Sequence, residues 1–378
     1  MASKQKTIFI GIAAVVILAA SVLFLTGKNN VTNTNAPIAF TAILPLTGPL
    51  SHLGENEKIG MTLALEDGRA SGLGNLSFNF EDSAGKGPTA ATVTQKRLTV
   101  NGDRFFIVAT TGPVLATLPI FRDLSEDKLV ISQTMYPRVT AGYPFSFRLF
   151  PSSQQEAELL AKHAIGAGQK RVAALHIQNE WGTESVAVFR KALEAAGGTL
   201  TTAETYTFAD KDFRTILAKI MSTGPDAILI YAYPDNFPVI MKQFAEMGKP
   251  LPILANADFA IGTIVKDIPP GILATTVFPA PRYLNDAGNP AIVQFNQRVR
   301  AAGHEPNFDI ATFYDMTMIL QKAAAKAKDR SVSGLRDALA TAFPYDGVTG
   351  HMELTVDREL VVEFALSKWV NGQLQQLK

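Results

Sequence analysis

From Pro37 onward, short runs of consecutive apolar residues alternate with longer stretches in which apolar residues recur every three or four positions. Ile38 to Leu44, Leu76 to Phe80, Phe105 to Ala109, Arg171 to Ile177 and Ala227 to Tyr231 are predicted strands. Near-continuous apolar runs of this length suit strands buried on both faces of a parallel sheet. Helices are predicted over Glu55 to Asp67, Pro88 to Val100, Gln154 to Ala164, Glu184 to Ala196, Phe213 to Met221 and Phe237 to Met247. Pro88 suits a first helical turn, where a missing N–H costs nothing, and Gly197-Gly198 suits a helix end. Repeated β-α-β-α predicts an α/β fold with doubly wound, Rossmann-like sheets, and the alternation is long enough for two of them. The tail differs. Val361 to Val370 is a long strand pattern, Asn371-Gly372 a hairpin signal and Gln373 to Leu377 a return strand.

Ahead of the alternation, Lys4 and Lys6 precede an uncharged apolar run from Ile8 to Leu25 that closes with Thr26, Gly27 and Lys28. Residues 1–28 therefore read as an N-terminal membrane anchor or a signal peptide. The run is longer than the usual core of a cleaved signal, and Leu18-Ala19-Ala20, the best cleavage candidate, lies inside it. Those features favour an uncleaved anchor over residues 8–25, with everything after it outside the cytoplasm. The polar Asn/Thr-rich residues 29–36 read as a linker.

Composition narrows the function. At 378 residues, 47% hydrophobic and 18% charged, the chain has material for more than one folded lobe. Thirty-five basic residues against 34 acidic ones, with no basic run, give nucleic acid little to hold. The chain has no cysteine, so disulfides and thiolate chemistry are excluded. His52, His163, His176, His304 and His351 are scattered without metal-ligand spacing, and His176 closes a buried strand pattern. There is no GxSxG elbow and no GxGxxG after the first strand. No enzyme activity, metal or cofactor is expected. A hydrolase or transferase on a similar scaffold is the reading disfavoured by these absences.

Several segments carry a resemblance. They are Ile43-Leu44-Pro45-Leu46-Thr47-Gly48-Pro49 with Gly54 and Gly60, Glu81-Asp82-Ser83, and Phe147-Arg148-Leu149-Phe150-Pro151-Ser152. Arg171-Val172-Ala173-Ala174-Leu175 leading to Glu180-Trp181-Gly182, then Asp212-Phe213, Gly224-Pro225-Asp226-Ala227-Ile228 and Phe313-Tyr314-Asp315, complete the series. In this order the chain resembles the type I periplasmic solute-binding proteins of the leucine/isoleucine/valine-binding group. The resemblance implies two lobes joined by three crossing segments, placed near Arg148 to Pro151, Ala274 to Phe278 and Phe343 to Gly350. Lobe one would be residues 37–148 plus 279–345, and lobe two 149–278 plus 346–378. It further implies a monomer that closes like a Venus flytrap around a small amino-acid-like ligand and is met by the permease of an ABC transporter. A sensor acting through a separate signalling partner is the alternative.

In such a fold the ligand sits at the carboxyl ends of strands, where helix N-termini receive anions. The turn after Phe105 to Ala109 offers Thr111, Gly112 and Val114, although relatives carry a serine there and a gapless count lands on Pro113. The end of the next strand, Ser132-Gln133-Thr134-Met135-Tyr136-Pro137, offers Thr134 and Tyr136; Met135 and Tyr136 are bulkier than the family norm and point to a reshaped pocket. Trp181 and Tyr233 match aromatic positions of the second lobe, and Asp258 lies near an acidic position that would meet an ammonium. The competing reading of Trp181 is a core residue, set against its polar company Gln178-Asn179-Glu180; that of Asp258 is a helix N-cap. Together the set suits a zwitterionic, largely apolar amino acid or a close amide analogue.

Overall fold

In the computed structural model the apolar runs assemble two sheets, the first all parallel and the second parallel except for its C-terminal hairpin, with the central strands buried on both faces. Residues 37–73, 75–249, 251–281 and 288–377 are described. The Ile8–Leu25 run lies outside them; among the described residues no helix is long and apolar enough to cross a membrane.

The first sheet grows from β1 (Ile38–Leu44), α1 (Ser51–Ala70), β2 (Leu76–Asp82), α2 (Gly87–Lys96), β3 (Phe105–Ala109), α3 (Thr111–Phe121), β4 (Leu129–Gln133) and β5 (Ser146–Arg148). Its order is β2-β1-β3-β4-β5, all parallel. The chain then builds α4 (Ser153–Gly166), β6 (Arg171–Ile177), α5 (Glu180–Ala195), β7 (Thr199–Tyr206), α6 (Arg214–Ser222), β8 (Ala227–Tyr231), α7 (Phe237–Glu246), β9 (Ile253–Ala255), α8 (Pro270–Thr275) and β10 (Thr276–Pro281). It returns to the first lobe with α9 (Pro290–Ala301), α10 (Phe308–Lys326), α11 (Val332–Ala340), β11 (Tyr345–Gly347), β12 (Gly350–Leu354) and β13 (Leu360–Val362). The last hairpin, β14 (Phe364–Val370) and β15 (Gln373–Gln376), joins the second sheet, whose order is β15-β14-β10-β9-β8-β6-β7. Asn371 and Gly372 both take positive φ, 51° and 73°, as a two-residue hairpin turn requires.

Two changes of lobe fall elsewhere than the sequence suggests. Every residue of Thr276–Pro281 is buried, and the strand pairs with β9, so it stays in lobe two and the crossing near Ala274 to Phe278 moves beyond Pro281. Tyr345, Met352, Leu360 and Val362 pack into the core of the first lobe, so the third crossing lies at Glu363 instead of Phe343 to Gly350. The predicted strand Val361 to Val370 is thereby cut in two, its halves serving different sheets. Lobe one spans 38–148 and 290–362, and lobe two spans 149–281 and 363–377.

The start of the first crossing is tied to the turn that precedes β13. Arg148, 2% exposed, donates to Glu359 Oε2 (3.0 Å) and to the Leu360 carbonyl (3.3 Å). Glu359 in turn accepts from Arg138 N (3.1 Å) and Thr140 Oγ1 (3.1 Å). Each charge is partnered, which a buried ion pair needs to repay its desolvation.

Candidate functional site

Strand ends of both sheets face one another across a small cavity of about 60 Å³. Lobe one supplies Thr110 and Thr111 from the β3–α3 turn and Gln133, Thr134 and Met135 from the end of β4. It also supplies Leu53 and Glu57 from α1 and Asp309 from α10. Lobe two supplies Trp181 at the start of α5, Tyr233 after β8 and Asp258 after β9, while Phe150 comes from the first crossing. This is the switch-point position expected of a ligand site in open α/β sheets.

Each wall has a local cause. Thr110 carries φ +69° and ψ 150°, a conformation rare outside glycine, and its N–H donates to the Gln133 carbonyl (3.0 Å). The Thr111 and Thr134 hydroxyls, 2.8 Å apart, join the two turns. The first turn of α3 leaves the N–H groups of Thr111 and Gly112 outside the helix's own hydrogen bonds, and Pro113 has none to offer. Asn179 caps α5 by accepting from Gly182 N (2.8 Å), which sets Trp181 in the first helical turn. Trp181 meets Tyr233 with ring centroids 4.9 Å apart and Tyr231 edge-on at 5.9 Å, and Phe208 stacks on Tyr233 at 5.2 Å. The result is an aromatic wall in lobe two.

The opposite feature is acidic. α1 crosses α10 so closely that a Cβ on Gly60 would lie 2.3 Å from the Ile310 carbonyl, and this crossing brings Glu57 and Asp309 to the cavity. Burial, then the nearby Asp309, raises the Glu57 carboxyl well above its usual range. Burial and Asp309 likewise push Asp258 up to about 8, and burial pushes Asp309 up to about 7. Behind Asp258, buried Glu156 accepts from Ala257 N (3.0 Å) and is itself raised by burial and by Asp258.

Of the residues singled out from sequence, the cavity gathers Thr111, Thr134, Trp181, Tyr233 and Asp258. Three stand elsewhere. Val114, fully buried, packs with Ile43, Phe106 and Leu118 beneath the first sheet. Gly112 faces the other lobe, where a Cβ would find only Glu180 Oε2 at 3.9 Å. Thr134 Oγ1 accepts from Tyr136 N (3.1 Å), a turn that carries Tyr136 out to a shallow depression beside Leu115, Asn179 and Glu184. Trp181 proves to be both wall and core: it is 4% exposed within the lobe-two cluster, and its polar company is a helix cap. Asp258 is no N-cap. It lies within the 3₁₀ turn Ala257–Ala260.

Sequence reasoning missed Glu57, Gln133 and Asp309. Glu57 carried a signal, because it shares the buried stripe of α1 with Leu53, Gly54, Gly60 and Met61. Asp309, in the first turn of α10 after the N-cap Asn307, reads as an ordinary helix-start acid.

Comparison with known proteins places this geometry. The model of a family described as periplasmic binding protein matches residues 37–373. A Leu/Ile/Val-binding protein homolog of Brucella melitensis is 27% identical over 61% of this chain, and that alignment spans 64% of the relative's length. The leucine-, isoleucine-, valine-, threonine- and alanine-binding protein of Pseudomonas aeruginosa is 22% identical over 86% of this chain and 88% of its own. Among solved structures, a leucine-binding protein of Thermotoga maritima superposes with a TM-score of 0.79 at 20% identity, over 90% of this chain and 98% of that one. A solute-binding protein of R. palustris in complex with benzoate gives 0.78 at 21% identity, over 90% of this chain and 96% of that one.

Proposed function

Because the chain belongs to the periplasmic binding protein family, we propose that it is the extracytoplasmic solute-binding component of an ABC importer, closing its lobes around a small amino-acid-like ligand. The observation that carries this reading is the cavity between strand ends, walled by both lobes and lined with polar groups that have no protein partner. Gln133 Oε1 and Nε2, Trp181 Nε1, Glu57 Oε2 and Asp309 Oδ2 are buried without a hydrogen bond. Unpaired buried polar atoms cost about 1–3 kcal/mol each, and a bound solute would recover that energy. Ligand entering the open form would meet Thr111 and Thr134, and closure would bring Trp181, Tyr233 and Asp258 onto it. The permease would then read the closed form, and residues 8–25 would hold the protein at the membrane.

Titration calorimetry of the purified protein against the proteinogenic amino acids and their amides tests this. Saturable binding of at least one, with a smaller radius of gyration in solution scattering, is expected. Absence of both for the whole set would overturn the reading.

A further inference from the structure

Three carboxylates reach a cavity for which the sequence promised one. Glu57, Asp258 and Asp309 line it, and its described lining contains no lysine, arginine or histidine. Two of these acids face each other from different helices of lobe one, and the third comes from lobe two. Their free oxygens are not occupied internally: Glu57 Oε2 and Asp309 Oδ2 have no partner. A second observation points the same way. Gln133, 3% exposed, and Trp181, 4% exposed, line the cavity with polar atoms equally unpartnered, so a ligand with hydrogen-bonding groups at both ends is called for. The anion-receiving end is weak, because Pro113 withholds one of the first N–H groups of α3.

A zwitterion would bring one positive and one negative charge into this space. Burial raises all three acids toward the protonated form, so a cation is what would ionise them; a zwitterion's single ammonium would answer one, while its own carboxylate would lie among the acids with no basic residue of the described lining to meet it. An apolar side chain would leave the remaining acid oxygens desolvated and unpaired. We propose that the site selects a small ligand of net positive charge, a short diamino acid or an amino amide, with Glu57 and Asp309 as specificity-determining residues. This rests on the solute-binding reading. In this arrangement the ammonium lies between Glu57 and Asp309, and the second nitrogen group, an ammonium or a neutral amide, faces Asp258. Gln133 and the Trp181 N–H take the polar acceptor at the centre.

Matched ligands isolate the charge. Norvaline and 2,4-diaminobutyrate differ by a terminal methyl against an ammonium, and alanine and alaninamide by a carboxylate against an amide. Calorimetry of the purified protein at pH 7 with these four, leucine and benzoate should show each cationic member binding at least about tenfold tighter than its partner. Asp309→Asn should erase most of that preference while the ligand-free protein still melts cooperatively, no lower than wild type. Glu57→Gln provides a second variant should the first not fold. Equal or tighter binding of norvaline, alanine or leucine would overturn the charge inference and leave the solute-binding reading standing. Tightest binding of benzoate would overturn it too, because it would mean the acids act as protonated donors to an anion. Binding by none of the six would overturn the charge inference, while the solute-binding reading would stand or fall with the full amino-acid and amide set.

Discussion

Trp181 shows how one side chain serves two purposes. Its indole is packed in the lobe-two core and also forms a wall of the cavity. Trp181→Ala should therefore cost about 3–5 kcal/mol of stability as well as affinity, seen as a lower ligand-free melting temperature. Trp181→Phe separates the roles: it keeps most of the packing and deletes the unpartnered Nε1–H, so affinity should fall by up to about tenfold with a small change in melting. Unchanged affinity would mean that the indole N–H does not touch ligand. The acids make an opposite prediction. Asp258 and Asp309 hold protons up to about 8 and about 7, whereas an unfolded aspartate loses its proton near about 4. Between those limits the folded chain binds more protons than the unfolded one, so ligand-free stability falls as pH rises from about 4 to 8. Glu57, Glu156 and Tyr233, all buried beside these groups, act in the same direction or stay neutral throughout. Melting curves across pH should show the decline, and Asp258→Asn should flatten it. A melting temperature that rises steadily over that window would refute the assignment.

Elements were legible where their burial is uniform. β1, β3, β6 and β8 are apolar on nearly every residue because helices cover both sheet faces, and short apolar runs spaced by amphipathic helices arise in few folds besides parallel α/β sheets. β7 was not, because at the sheet edge its sequence Thr-Leu-Thr-Thr-Ala-Glu-Thr-Tyr is half-exposed and polar. The break at Glu363 was hidden for a different reason: Leu360 and Val362 on one side and Ala365 on the other are all buried, but in different lobes. The site was half legible. Residues next to strand ends could be found by counting from the strands, whereas Glu57 and Asp309 depend on how two helices cross. That crossing is itself testable. Gly60→Ala would force α1 and α10 apart at the Ile310 carbonyl, costing about 1–3 kcal/mol by overpacking. Because Glu57 and Asp309 ride on these helices, ligand affinity should fall as well; intact affinity at lowered stability would show that their spacing is not critical.

At the scale of the molecule, the buried Arg148–Glu359 pair joins the two stretches of chain that make up lobe one, at the edge of the first crossing. Arg148→Ala would strand the Glu359 carboxylate and should cost about 3–5 kcal/mol, measured by denaturant unfolding, whereas replacing both partners with apolar residues should cost much less. The interleaving of the lobes also has a consequence for how the protein is made. Lobe one lacks part of its core until Val362 has been synthesised, and lobe two lacks β14, neighbour of β10, until Val370 has followed. Neither half can finish folding while the ribosome is still working through the middle of the chain. A nascent chain that stays unfinished until residues 360 to 370 emerge remains threadable while everything before them is made, the condition a polypeptide needs if it is to pass a translocation channel before it folds.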